Sequence, residues 1–311
     1  MQVFKTIDEL SQIKRPIVLA AGVFDGVHLG HQAVLQTAVD AARRIQAEPV
    51  VLTFTPHPST VLRPGHVQPL LTSTEYKLRL IEKQGIKKAL LLEFNAGFAA
   101  MEAEEFLHKL QTSARELSGI CIGQGWKFGH NRQGDAKLLQ LIGMKNGFFT
   151  SEVAPVKIND TIVSSTLIRQ AIAEGNLPMA AEFLGRDFSI SGQVVEGRKL
   201  GRQIGFPTAN ISTQGEQYPP DGVYFVNAAI GKKTIHGVAN IGLRPSVTGE
   251  GTRVLEVHLL DFTQNLYGKE IEVSFLQFLR AEKKFESLDL LRDQIQRDVL
   301  QARDWFGIQM E

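Results

Sequence analysis

Residues 17–31 read Ile17-Val18-Leu19-Ala20-Ala21-Gly22-Val23-Phe24-Asp25-Gly26-Val27-His28-Leu29-Gly30-His31. The run Ile17–Val23 is apolar and short, as a buried strand is. A glycine-bearing turn follows, and the helical spacing that begins beyond it extends over Gln32–Gln46. A buried strand that turns into a helix is half of a βαβ unit. The same rhythm recurs through the first half. Val50–Phe54, Ala89–Phe94, Gly119–Ile122 and Phe148–Val153 read as strands. Thr74–Gln84, Glu102–Leu110 and Asp135–Asn146 have helical spacing. Such alternation predicts right-handed crossovers and a mostly parallel sheet. Ligands of these sheets sit beyond the carboxyl ends of the strands.

The rhythm changes near residue 184. Ser189–Val195, Gly222–Ile230, Lys233–Ala239, Leu255–Leu260 and Ile271–Phe278 are strand-like, closely spaced and punctuated by Gly and Pro. They predict an antiparallel barrel or sandwich. Leu288–Trp305 reads as an amphipathic closing helix with Leu288, Leu291, Ile295, Val299 and Trp305 on or near one face. The fold class expected is therefore α/β plus β. The boundary is placed within Glu182–Phe188, giving domains 1–183 and 184–311.

Composition bounds the function classes. The chain has 311 residues, room for two cores, with 43% hydrophobic and 22% charged residues. A net charge of +1 gives no general reason to expect nucleic acid or a membrane surface as partner. No obligate protein partner is evident. No run approaches a membrane span, and MQVFKTIDELSQIKRP lacks the apolar core of a signal peptide. Cys121 is the only cysteine, so no intrachain disulfide can form, which suits a cytoplasmic protein. Within Gly119–Gly123 it reads as a small core hydrophobe.

Two constellations carry chemistry. In the first, Gly22, Phe24, Gly26 and Gly30 surround a strand-to-helix turn, where helix N–H groups and the positive dipole end meet phosphate. His28 and His31, three apart, can face one ligand across a helical turn. Their imidazoles could donate to phosphate oxygens as charge builds at a transferred phosphorus. The same pattern also fits a capped turn with two incidental histidines. Zinc would need further ligands that no Cys/His cluster supplies. Ser164 or Ser165 is a natural N-cap for a helix continuing to Ala173, and Ser165, Thr166 and Arg169 could complete an anion site. Thr53-Phe54-Thr55-Pro56-His57-Pro58 reads by itself as a rigid turn.

The second constellation spans residues 197–210, GRKLGRQIGFPTAN. Gly197, Gly201, Lys199 and Arg202 belong to a loop able to wrap a polyphosphate, although it is not a Walker A sequence. Thr208 and Asn210 share one face of an extended segment and offer hard oxygen ligands suited to Mg²⁺. A basic surface loop before a strand is the plainer reading. Glu256 alternates with Leu255 and Val257, and kinases place such a carboxylate near the acceptor hydroxyl. A solvent-facing strand position is the ordinary alternative.

Taken together these motifs resemble one family. HxGH at 28–31, TFTPHP at 53–58, LRPGHVQPLLTSTEYKL at 62–78 and SSTLIR at 164–169 look like the FMN adenylyltransferase module of bacterial bifunctional riboflavin kinase/FAD synthetases. HxGH alone marks only the wider nucleotidyltransferase superfamily. GRxxGFPTAN at 201–210, PPDGVYFV at 219–226, GVANIGLRPSVTG at 237–249 and LEVHLLDF at 255–262 look like its riboflavin kinase module. The resemblance implies a Rossmann-like domain and a six-stranded barrel. It implies ATP phosphates at His28 and His31 and at Ser165, Thr166 and Arg169, and flavin near Phe54, Pro56, His57, Asn240 and Arg244. It also implies Mg²⁺–ATP at Thr208 and Asn210, with Glu256 as general base. Riboflavin, FMN and FAD would be substrates and products. One segment departs: residues 123–129, GQGWKFG, carry Gly125 where the family reads Asp or Asn, and Trp126 where it reads Phe. An active kinase joined to a weakened transferase is therefore a rival reading. A flavin-binding regulator and a transferase for another phosphorylated alcohol are two more.

Overall fold

The computed structural model describes residues 1–65, 68–197, 200–244 and 252–308. The chain divides into two compact units. One comprises 1–70 with 74–165, and the other 71–73 with 166–311.

The first unit opens with β1 (Gln2–Phe4), β2 (Ile17–Ala21), α1 (Leu29–Arg44), β3 (Glu48–Thr55), α2 (Pro58–Leu62), α3 (Thr74–Lys83) and β4 (Lys88–Glu93). It continues through α4 (Ala96–Ala99), α5 (Ala103–Ser113), β5 (Leu117–Gly123), α6 (Ala136–Asn146) and β6 (Phe149–Val153). A small antiparallel hairpin follows, β7 (Lys157–Ile158) with β8 (Thr161–Ile162). Among the described residues the main sheet runs β1-β4-β3-β2-β5-β6, with every pairing parallel. The chain fills the β3 and β4 positions on one side of β2, then returns to β5 on the other. The end of β2 is thus the switch point where such sheets bind ligands. All five β2 residues are buried, which explains a strand apolar throughout rather than alternating. Cys121 lies in the core against α1, and burial pushes its thiol up to about 12.

The second unit begins within α7 (Ser165–Ala173), followed by α8 (Leu177–Leu184) and β9 (Ser189–Val195). Then come α9 (Leu200–Gln203), β10 (Ala209–Ser212), β11 (Gly222–Ile230), β12 (Lys233–Arg244), β13 (Thr252–Leu259), β14 (Glu270–Ala281) and α10 (Leu288–Phe306). Strands β9–β14 close into a six-stranded antiparallel barrel ordered β10-β13-β12-β11-β14-β9. On β13, Leu255, Val257 and Leu259 are buried while Glu256 and His258 are half-buried on the opposite face, the period-two pattern of a strand.

The structure adds elements that apolar periodicity passes over. β1 is a three-residue edge strand beside β4. β10 is short and carries the polar Asn210 and Ser212. The closing helix forms, but its buried face centres on Asp298 and Ala302, with Leu288 and Trp305 about half exposed. Asp298 is buried because Arg280 on β14 grips it: Nη2 to Oδ2 is 2.7 Å and Nε to Oδ1 is 3.0 Å.

Candidate functional site

The turn after β2 is unusual in its backbone. Phe24, Gly26 and Val27 all have positive φ, at 55°, 85° and 42°. A β-branched residue there is strained, so surrounding contacts must hold it. Thr53 at the end of β3 donates to the Val23 carbonyl at 2.9 Å. Ser165, at the start of α7, donates to the Asp25 carbonyl at 3.0 Å. That bond joins the beginning of SSTLIR to the turn before HxGH, across 140 residues of chain.

The turn delivers His28 as the N-cap of α1, where its Nδ1 accepts from the His31 backbone N–H at 3.3 Å. With Nδ1 accepting, the ring proton of His28 sits on Nε2, the atom available to donate. The His28 and His31 rings stack at 3.6 Å between centroids. Phe24 meets His31 edge-on at 5.3 Å. Gly22 lies against the Phe24 ring and Gly30 against the His28 ring. His28, His31, Gly22, Phe24, Gly26, Gly30 and Ser165 therefore come together at the helix N-terminus. Thr166 and Arg169 lie on α7 in the second unit, Thr166 exposed and Arg169 buried.

In TFTPHP, Phe54 is buried and packs edge-on against Phe94 at 5.7 Å. Pro56 is exposed, and His57 caps α2 by accepting from the Ser59 N–H at 3.2 Å. Gly125 sits at φ 78°, and a Cβ there would meet nothing within 4 Å. Only the left-handed backbone, not crowding, favours glycine at this position. Trp126 stacks on Phe128 at 4.7 Å.

Sequence reasoning missed Lys77. It is buried on α3, and its ammonium donates to the Val23 carbonyl at 3.2 Å, Thr53 Oγ1 at 3.2 Å and the Phe54 carbonyl at 3.1 Å. Lys77 stands on the apolar stripe with Leu80 and Ile81, at i+3 and i+4, where sequence alone reads it as an interruption of that stripe.

In the barrel, cross-strand register aligns three of the expected residues. Asn210 on β10 pairs with Glu256 on β13, and Glu256 pairs with Asn240 on β12. Directly paired residues project to the same face of a sheet. Thr208 Oγ1 donates to Glu256 Oε2 at 3.3 Å. Gly197 approaches Asn210 so closely that a Cβ would fall 2.3 Å from its amide nitrogen. The Gly201 carbonyl accepts from the Phe206 N–H at 2.7 Å, which folds the loop back toward Thr208. A cavity of about 260 Å³ opens beside it, with Arg202, Thr208, Val257, Leu266 and Tyr267 in its wall. His258 donates to the Pro207 carbonyl at 2.9 Å, and burial lowers its pKa. Lys199 lies outside the described residues, as does the Arg244 side chain; the Arg244 backbone pairs with Thr252.

Among the described residues, no group of three His, Cys, Asp or Glu side chains could hold a metal ion. A hydroxyl, an amide oxygen and a carboxylate grouped beside a cavity nevertheless suit Mg²⁺, which takes few protein ligands and completes its shell with water and phosphate oxygens. No helix among the described residues is long and apolar enough to cross a membrane.

Comparison with known proteins matches both units. The FAD synthetase family matches residues 10–167, and the riboflavin kinase family matches 184–306. The bifunctional riboflavin kinase/FMN adenylyltransferase of Escherichia coli K12 is 40% identical, covering 99% of each chain. The protein of the same name from Pseudomonas fluorescens is 36% identical, covering 97% of each. A crystal structure described as the macrolide-efflux protein from Streptococcus pneumoniae has a TM-score of 0.81 at 32% identity, covering 97% of this chain and 98% of that one.

Proposed function

The chain belongs to the bifunctional riboflavin kinase/FMN adenylyltransferase family, and from that premise we propose which residues carry each of its reactions. The enzyme phosphorylates riboflavin to FMN and adenylylates FMN to FAD. In our reading both steps take place in the cytoplasm, phosphorylation within residues 184–311 and adenylylation within 1–183.

For phosphorylation, Glu256 receives the proton of the ribityl 5′-hydroxyl as that oxygen attacks the γ-phosphorus of ATP. The new O–P bond forms, the bond to the β,γ-bridging oxygen breaks, and ADP leaves. The Thr208 hydroxyl and Asn210 amide oxygen would hold Mg²⁺, which neutralises phosphate charge in such transfers. Arg202 and Lys199 would steady the polyphosphate, and Asn240 and Arg244 would contact the flavin. The observation that carries this reading is the Thr208–Glu256 hydrogen bond. It ties the PTAN segment to the one carboxylate in the Asn210–Glu256–Asn240 row.

For adenylylation, an FMN phosphate oxygen attacks the α-phosphorus of ATP and pyrophosphate departs. The nucleophile is already anionic, so no general base is required. His28 Nε2 and His31 donate to the oxygens on which charge accumulates, aided by the α1 N-terminus. Gly22, Phe24, Gly26 and Gly30 shape the approach, Ser165, Thr166 and Arg169 bind phosphate, and Pro56 and His57, with Phe54 behind them, border the flavin.

Incubation with riboflavin, ATP and Mg²⁺, followed by separation of the flavins, tests the scheme. FMN should appear first and FAD after it. Omitting Mg²⁺ should stop both steps. Undiminished FMN formation in chelator would remove the metal from the proposal.

A further inference from the structure

Lys77 is a buried cation that neither reaction above uses. Its three acceptors are no ordinary sample of the interior. Val23 is the last residue before the strained turn that begins at Phe24, and Phe54 is the last before Thr55-Pro56-His57. Thr53 bonds both Lys77 and the Val23 carbonyl. One ammonium with three donors thus gathers the carboxyl ends of β2 and β3 and fills its hydrogen-bonding capacity doing so.

We propose that Lys77 is a positioning residue for adenylyl transfer, holding the backbone turn that presents His28 and His31 to the α-phosphate. This rests on the reading of the first unit given above. The physical case is geometric. Phe24 and Val27 occupy left-handed conformations that these residues avoid on their own. A turn so strained persists only when its flanks are fixed, and Val23 is fixed by Lys77 and Thr53. Donors to a developing charge work by being preorganised, so slack in this turn would reach the histidines directly.

The alternative is that a buried lysine merely plugs the core. Burying an ammonium is costly, and an apolar residue of similar length would fill the space without that cost. Desolvation lowers the Lys77 pKa to about 8, against the opposing pull of Asp25 and Glu75. The ammonium is therefore present below about pH 8 and lost above it.

The test uses the full-length protein with Lys77→Met, which removes the ammonium at nearly constant length, and Thr53→Val, which removes one of its partners. FAD formation from FMN and ATP is measured against pH, with riboflavin phosphorylation as an internal control of enzyme concentration and thermal unfolding followed by circular dichroism as the control of folding in the first unit. In Lys77→Met the kcat for FAD formation should fall about 10- to 100-fold while phosphorylation changes by less than about twofold. The wild-type kcat should decline as pH rises through about 8, and the variant should lose that alkaline limb. A merely structural defect would lower the active fraction at every pH and leave the limb in place. Should Lys77→Met fail to fold, Thr53→Val decides, with an expected loss of about 3- to 10-fold. Unchanged FAD formation in the variants, or an unchanged limb in Lys77→Met, overturns the proposal. A wild type that makes FMN but no FAD overturns the reading beneath it as well, which separates the two failures.

Discussion

Glu256 stands between Asn210 and Asn240 across three strands, with the Thr208 hydroxyl on one of its oxygens. Glu256→Gln keeps that shape, since an amide oxygen still accepts from Thr208, and removes only the base. FMN formation should therefore fall by roughly 10²–10⁴-fold, while FAD formation from supplied FMN stays at the wild-type rate. Loss of both activities in a folded variant would sink the division of labour. In the other site, His28→Ala deletes a donor together with the α1 cap. FAD formation should drop roughly 10²–10³-fold, with phosphorylation spared. Gly125→Asn belongs beside it. Asparagine tolerates positive φ better than most residues, and the space around Gly125 is open, so the side chain can be added at only the backbone cost of the left-handed conformation. If position 125 touches ligand, this variant makes FAD faster than wild type; an equal or slower rate places the contact elsewhere. Single residues were legible in the sequence where a motif named them, as with His28, Ser165 and Glu256. Lys77 was not, because a cation on an apolar helical stripe looks like an interruption until its acceptors, the ends of β2 and β3, are seen in space.

The closing helix shows what periodicity can and cannot weigh. The apolar spacing of Leu288–Trp305 marks α10 correctly as a helix, yet the residue buried deepest on its inner face with Ala302 is Asp298. Hydrophobic pattern counts a carboxylate as solvent-facing, and only the Arg280 fork, which is on another element, reverses that. Gln294 adds a donor to Oδ1 at 2.9 Å, and His236 on β12 stacks on Phe306 at 4.0 Å. Asp298→Ala would leave Arg280 partly buried without its partner. Breaking such a pair costs about 3–5 kcal/mol when fully buried. Because Arg280 keeps some contact with solvent, about 2–3 kcal/mol is the fitting expectation. Phosphorylation should be inactivated at a lower temperature than in wild type, while FAD formation from FMN keeps its heat resistance. Equal inactivation temperatures for phosphorylation would show that solvent already screens the pair. The short elements β1 and β10 escaped prediction for a related reason. Three or four residues hold too few alternations to register, and their identity as strands comes from the neighbours they pair with.

At the scale of the whole chain, the change from alternating strands and helices to closely spaced strands was legible, and both architectures follow from it. Where one unit ends is a different question, and it yields the last prediction. Sequence rhythm puts the boundary at 183/184, where the alternation of strands and helices gives way to closely spaced strands. Compactness instead groups both helices with the barrel, from Thr166 onward. Within that unit α8 packs on β14, and Gly175, at the turn before α8, lies against Pro220. Leu177, Ala180, Phe183 and Leu184 form the buried face of α8. Burying such a face contributes roughly 1.5–3 kcal/mol per large side chain, offset by the entropy of ordering the helix, so about 2–4 kcal/mol should remain. Two fragments, 166–311 and 184–311, separate the possibilities. Both should phosphorylate riboflavin, since Thr208, Asn210 and Glu256 lie in each. The longer should be more stable in urea unfolding by about the free energy just given, without change in kcat. Equal stabilities would mean that α7 and α8 contribute nothing to the barrel and that the boundary belongs at 184. If neither fragment folds in the presence of ATP, Mg²⁺ and riboflavin, the barrel has no independent core, and the two activities depend on the intact chain.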